Sequence, residues 1–328
     1  GLDGSLTSSA DASINSVNVG KGANSVSGNT VLGESALDAS VTGANNTAIG
    51  KSALTDLTSG AGNVCVGTSS GLEITTGSNN TAVGVSSLFT QTTASNNTAF
   101  GRSTLKLNTS GDENVAVGAN ALDANTTASH NTAIGYDSLG ATTTGSENTG
   151  CGNSSLLKNT SGNNNTAVGR SSMVENTSGA SNTAVGADSL KNNTTASNNT
   201  AVGKDALLTN TTGSENTALG ADCLESNTTA DNNTGVGFAA LQNNTTGASN
   251  TAVGTGALIN NTSGTENVAV GAFALDASTT GGSNTALGYN SLSANTTASD
   301  NTAVGTGSLF ANTTGAQNVA VGTSSLDA

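Results

Sequence analysis

Numbered from an asparagine as slot 1, the chain repeats a seventeen-slot pattern, N-T-A-V-G-x-x-(A/S)-L-x-x-N-T-T-(G/A)-S-x, from residue 29 to its last residues. Asn fills slot 1 in all eighteen copies from Asn29 to Asn318, and Gly fills slot 5 from Gly33 to Gly322, without one insertion. A fixed period of this kind marks stacked structural units and is read before local propensity. Slot 4 is always apolar or Cys, as in Ile49, Phe100, Cys151, Val168 and Leu219. Slot 9 is Leu in sixteen copies, Met173 and Gly71 being the exceptions. Slot 2 is Thr in fourteen copies and Val in four (Val64, Val115, Val268, Val319), and slot 3 between them is mostly Ala. Residues two apart share one side of a strand, so slots 2 and 4 are expected to face inward. A second short strand around slots 8–10 is expected to aim the Leu back at slot 4. Gly in slot 5 and Gly or Ala in slot 15 supply the turns. No 3.6-residue stripe argues for a helix.

These elements predict an all-β fold: a narrow parallel β-solenoid or β-roll with one 17-residue repeat per coil and about eighteen coils. Like residues then stack as ladders. The columns through Asn165, Asn182 and Asn199, through Thr166, through Val168, Val185 and Val202, through Gly169, Gly186 and Gly203, and through Leu190 and Leu207 are the structural site residues. The slot-1 Asn is expected to bond coil to coil. So thin a coil encloses a meagre core, and neighbouring chains around a three-fold axis are expected to help bury it. Residues 1–14 carry no repeat and read as a cap or connector, followed by the solenoid over 15–328, regular from 29. Gly20 precedes Gly33 by less than a full period, so the first coil is expected to be short. The start at Gly1 without Met, and the stop at Ala328 in mid-repeat, are expected of a processed product or a piece of something longer.

Composition narrows the function. Proline is absent, as suits a stack whose backbone N–H groups donate to the next coil. The net charge of −14, from 8 basic and 22 acidic residues, disfavours nucleic acid and bare anionic membranes. No apolar run is long enough for membrane insertion. Cys65, Cys151 and Cys223 fall in slots 3, 4 and 8 and read as buried small hydrophobes rather than disulfide partners. His130, the one histidine, stands in slot 17 and reads as a solvent-facing replacement. The acids are scattered over slots 7, 10 and 17 (Asp137, Asp188, Asp123, Glu147), the distribution of solubilising charges rather than of a catalytic pair. No catalytic, metal or cofactor site is predicted, although slot-7 Asp leaves weak cation binding open. The Asn-x-Ser/Thr sequons at Asn125, Asn159, Asn176 and Asn227 leave a glycan coat open.

The stretch "NSVNVGKGANSVSGNTVLG" resembles the head repeats of trimeric autotransporter adhesins, whose segments build left-handed β-rolls in a trimer. The longer unit "NTAVGxxxLxxNTTGSN" resembles the repeats of phage and environmental tail-fibre proteins. Over residues 15–328 the resemblance implies a non-enzymatic, homotrimeric structural or adhesive fibre at the cell surface, outside the cell or on a virion. Its partner is another copy of itself, and a binding role would imply a host-surface glycan or receptor. Two readings compete: an ice-binding solenoid that uses the Thr ladders of slots 13 and 14, and a subunit of a head-to-tail extracellular filament.

Overall fold

The computed structural model describes residues 11–327; residues 1–10 of the expected cap lie outside the described residues. The chain divides into two compact units, Gly1–Ser161 and Gly162–Ala328. Both are parallel β-solenoids with one short strand per repeat. Among the described residues the sole helical piece is a 3-10 turn at Ala23–Ser25.

The first unit opens with an antiparallel hairpin. Its strands β1 (Ala12–Ile14) and β2 (Val17–Gly20) are joined through Asn15 and Ser16, at φ 51° and 67°. Two consecutive left-handed residues make the turn that suits a twisted hairpin. The Asp11 carboxylate accepts the Lys21 and Gly22 N–H groups, each at 2.6 Å, and ties the hairpin base. Strand β2 runs antiparallel to β3 (Thr30–Gly33). The expected short first coil is therefore replaced by a chain reversal that covers the edge of β3. From β3 onward the pairing is parallel through β4 (Thr47–Ile49) to β10 (Thr149–Cys151), each residue facing its equivalent one full repeat along, as Thr132 faces Thr149. The second unit repeats the arrangement from β11 (Thr166–Val168) to β20 (Val319–Val321).

Two expectations about the coil are overturned. Slots 2 and 4 face outward: in β12 (Thr183–Val185) Ala184 is fully buried while Val185 is 36% exposed. The inner column is slot 3, Ala in most copies, and it meets slot 9, where Leu190 and Leu207 are fully buried. The chain turns at slot 5 after only three extended residues, so the interior is one small side chain and one Leu thick. The second strand around slots 8–10 is absent as well. Slots 7 and 9 are left-handed in coil after coil, as in Asp188 (φ 58°), Leu190 (φ 49°), Asp205 (φ 56°) and Leu207 (φ 52°). A leucine held there costs about 1–2 kcal/mol. Full burial of the side chain returns roughly 1.5–3 kcal/mol, and the Leu190 N–H reaches the Ala206 carbonyl of the next coil at 2.9 Å. The tight left-handed turns let each unit close its Leu column without help, so the expected need for neighbouring chains to bury that column falls away.

The polar framework matches the expected Asn ladder and adds a second. In slot 1, Asn165 Oδ1 accepts the N–H and the Nδ2 of Asn182 (3.0 and 3.1 Å), while Asn165 Nδ2 donates to Gly179 O in slot 15 at 2.8 Å. In slot 12, Asn193 Nδ2 donates to Asn176 Oδ1 at 2.9 Å, and Asn176 Nδ2 shares the Gly179 carbonyl at 3.0 Å. Both columns are buried. The Gly of slot 5 is required by contact and conformation alike. Gly186 has φ 139°, and a Cβ there would stand 2.4 Å from the Gly203 carbonyl oxygen. Its N–H donates to Val168 O at 2.8 Å.

Two departures from the consensus are matched pairs. Cys65 in slot 3 faces Gly71 in slot 9, where a Cβ would lie 2.5 Å from the sulfur. Cys223 in slot 8 faces Gly235 in slot 3 of the next coil, where a Cβ would lie 2.4 Å from the sulfur. Each larger thiol occupies space that a glycine vacates. Gly235→Ala alone should therefore destabilise the protein by about 1–3 kcal/mol through overpacking. Adding Cys223→Ala, which gives both slots residues common in the other copies, should recover the loss. Denaturant unfolding of the four proteins of this cycle measures the coupling; additive effects would contradict the pairing.

Candidate interaction face

The outer side of the strands is a surface repeated without charge along each unit. Slot 1 anchors a strand through its buried Asn, slot 5 ends it, and the pleat between them sends slots 2 and 4 outward. Parallel register then stacks Thr on Thr and Val on Val, as in Thr183 with Thr200 and Val185 with Val202. Coils lie about 4.8 Å apart, and slots 2 and 4 about 6.6 Å apart along the strand. In the second unit Val168, Val185 and Val253 are each 36% exposed, and Leu219 and Leu287 reach 47% and 46%. In the first, Ile134 is 43% and Phe100 53% exposed. Among the described residues no slot-2 Thr hydroxyl is hydrogen-bonded to protein. By contrast, the slot-13 hydroxyls are consumed internally, as in Thr194 Oγ1 donating to Thr211 O at 3.0 Å. Of the Thr pair singled out in the sequence, slot 13 is therefore a structural seam, whereas slot 14, as in Thr195 and Thr246, is exposed, and slot 2 adds a further open Thr column.

The predicted structural residues fall into an inner and an outer set. Asn165, Asn182, Asn199, Leu190 and Leu207 are buried; Val168 and Val185 are exposed, and Thr166 and Val202 are half-buried. Gly169, Gly186 and Gly203 form the turn column between them. Sequence reasoning missed the face because it placed the most apolar slot inside. A signal was available: slot 4 accepts everything from Cys to Phe, whereas a thin core does not.

The remaining candidate chemistry is spread over the surface. Asp188 accepts Arg170 Nη2 at 2.5 Å and lies 3.0 Å from Lys191 Nζ, and Asp205 pairs with Lys204. Asp137 accepts Asn120 Nδ2 at 3.0 Å. Burial, and after it the neighbouring Asp137, pushes the Asp123 carboxyl up. His130 is exposed beside Glu113 at 3.2 Å. Among the described residues no three His, Cys, Asp or Glu side chains gather as metal ligands, and no helix is long and apolar enough to cross a membrane. The sequons at Asn125, Asn159, Asn176 and Asn227 are slot-12 residues, all fully buried. Asn227 Nδ2, the atom that would carry a glycan, donates to Asn210 Oδ1 at 2.9 Å. A glycan coat at these sites is incompatible with the folded coil.

Comparison of the sequence with protein-family models and with curated proteins finds no match.

The cysteines report on which slots face inward. Cys65 and Cys223 are buried, and burial pushes both thiols up to about 12. Cys151, expected to be buried as well, stands in outward slot 4 and is only half-buried. In the folded protein at pH 8, a thiol reagent should modify Cys151 and leave Cys65 and Cys223 intact until denaturant is added. Peptide mass mapping reads the outcome; early labelling of Cys65 would reverse the assignment of slot 3 to the interior.

Proposed function

We propose that the chain is a non-enzymatic structural or adhesive fibre segment, a shaft outside the cell, at its surface or on a virion, which assembles with copies of itself as a homotrimer. The observation that supports this most is the in-register column of half-exposed Val, Ile and Leu side chains in slot 4, flanked by slot-2 Thr. A contiguous apolar strip on a soluble protein marks an association surface, and a strip that repeats once per coil suits a partner with the same repeat. The backbone and Asn ladders supply the stiffness that a shaft needs. The varied slots 6, 7, 10 and 11 lie elsewhere on the coil, and an attachment partner, a host-surface glycan or receptor, would meet those.

The ice-binding reading gains one observation. The outward Thr and Val columns form a registered lattice with unused hydroxyls, of the kind that orders water. The bulkier Leu219 and Leu287 rise from the same column and weigh against a flat crystal contact.

Light scattering on a sizing column should give a mass of three chains for the parent protein. The double variant Val185→Glu/Val202→Glu should give one chain with little change in its unfolding midpoint, because both side chains already face outward. A monomeric parent would sink the assembly reading, and thermal hysteresis in that monomer would favour ice. A broad distribution of very large particles would point to the filament.

A further inference from the structure

The slot-12 asparagine ladder of the second unit is interrupted once within its buried stretch, at Ser278. In the regular coils each slot-12 carboxamide accepts from the Nδ2 one coil on and donates both to the Oδ1 one coil back and to the slot-15 carbonyl of its own coil. Serine is too short to do so. Asn261 Oδ1 and Ser278 Oγ are both fully buried and without a protein partner. Gly281 O, in slot 15, accepts only from Asn267 Nδ2 (2.8 Å), where Gly264 O accepts from both Asn250 and Asn261. Asn295 Nδ2 donates to Ala298 O at 3.0 Å, and its second hydrogen faces the serine in place of an amide oxygen.

Four polar groups thus converge where a carboxamide would sit, two acceptors and two donors. The difference between an Asn and a Ser side chain is roughly the 30 Å³ share of one water molecule. We propose that Ser278 creates a binding site for a single buried water. The water donates to Asn261 Oδ1 and Gly281 O and accepts from Ser278 Oγ–H and Asn295 Nδ2–H, so the ladder continues through it. A cation does not fit the same set, because the Asn295 amide presents hydrogen to the centre. The first unit supplies the contrast. Thr142 also interrupts slot 12 and leaves its own hydroxyl and Asn125 Oδ1 unpartnered. Threonine, however, nearly matches asparagine in volume, so that slot has no room for water.

The test is a high-resolution crystal structure of the full chain with two substitutions. One ordered water within hydrogen-bond distance of Asn261 Oδ1, Gly281 O and Ser278 Oγ, with none at Thr142, is the expected result. Ser278→Asn should displace it and raise the unfolding midpoint by about 2–4 °C, since the protein's own amide then replaces an immobilised solvent molecule. Ser278→Val should fill the space, strand the three remaining groups and lower the midpoint. A dry slot in the parent structure, or a Ser278→Val protein as stable as its parent, would overturn the proposal.

Discussion

The buried carboxamide of slot 1 is the interaction on which the rest depends. A coil this short cannot enclose enough apolar surface to hold itself shut, and its two ends must be brought together by something directional. The Asn side chain does this in two dimensions at once. Its Nδ2 crosses the coil to the slot-15 carbonyl, as Asn199 does to Gly213 O at 2.9 Å. Its Oδ1 receives the backbone of the next coil, as Asn199 receives Asn216 N–H at 2.9 Å. A buried amide with an unmet donor or acceptor costs about 1–3 kcal/mol, so the column favours one register alone. A slip by a single residue would leave every slot-1 group unpaired.

With closure assigned to polar ladders, the apolar interior can be minimal. In most coils it consists of a slot-3 Ala, a slot-9 Leu and the short slot-8 residue, joined in the first coils by Val41, Leu57 and Ile74, and none of the seven aromatic residues (5 Phe, 2 Tyr) is buried in it. Such a core has almost no slack. The left-handed Leu is one consequence, since a helical or extended residue at slot 9 would not aim its side chain inward from so tight a turn. The Cys–Gly pairs are another: one added sulfur is matched by one deleted methyl or isobutyl group. The slot-8 serines show the same economy, their hydroxyls donating to the slot-3 carbonyl of the next coil, as Ser172 does to Ala184 O at 3.1 Å.

Much of this was legible from the repeat. The period, the Asn column, the slot-5 turn and the placement of Leu inside all follow from residue chemistry at fixed spacing. The orientation of the strand did not, because Thr-Ala-Val alternates in the same way whichever face is buried. Hydropathy favoured Val over Ala for the interior, and volume decided the opposite. What could have settled it is tolerance. The two cysteine-linked changes at the interior come with a compensating change nearby, Cys65 with Gly71 and Gly235 with Cys223, whereas slot 4 passes from Val83 to Phe100 to Val117 with no partner change. The second Asn ladder was hidden for another reason: Asn-Thr-Thr also spells a turn and a glycosylation sequon, and only burial separates these meanings.

The division between inside and outside limits where function can lie. Most polar groups that a ligand could use, the carboxamides and the slot-13 hydroxyls, are committed to holding coils together. The charged slots vary from coil to coil and are partly self-neutralised, as Arg170, Lys191 and Asp188 are. Slots 2 and 4, with the exposed slot-14 hydroxyls, remain, uniform in chemistry and locked to the coil spacing. A surface that repeats every ~4.8 Å is poorly matched to a ligand that binds once, because any single site is duplicated one coil away with nearly equal affinity. It is well matched to a partner with the same period, for which the small gain per coil adds up and only one register satisfies them all. Periodicity within the chain thus argues for periodicity in what it meets, and a second chain of the same repeat has that property by construction.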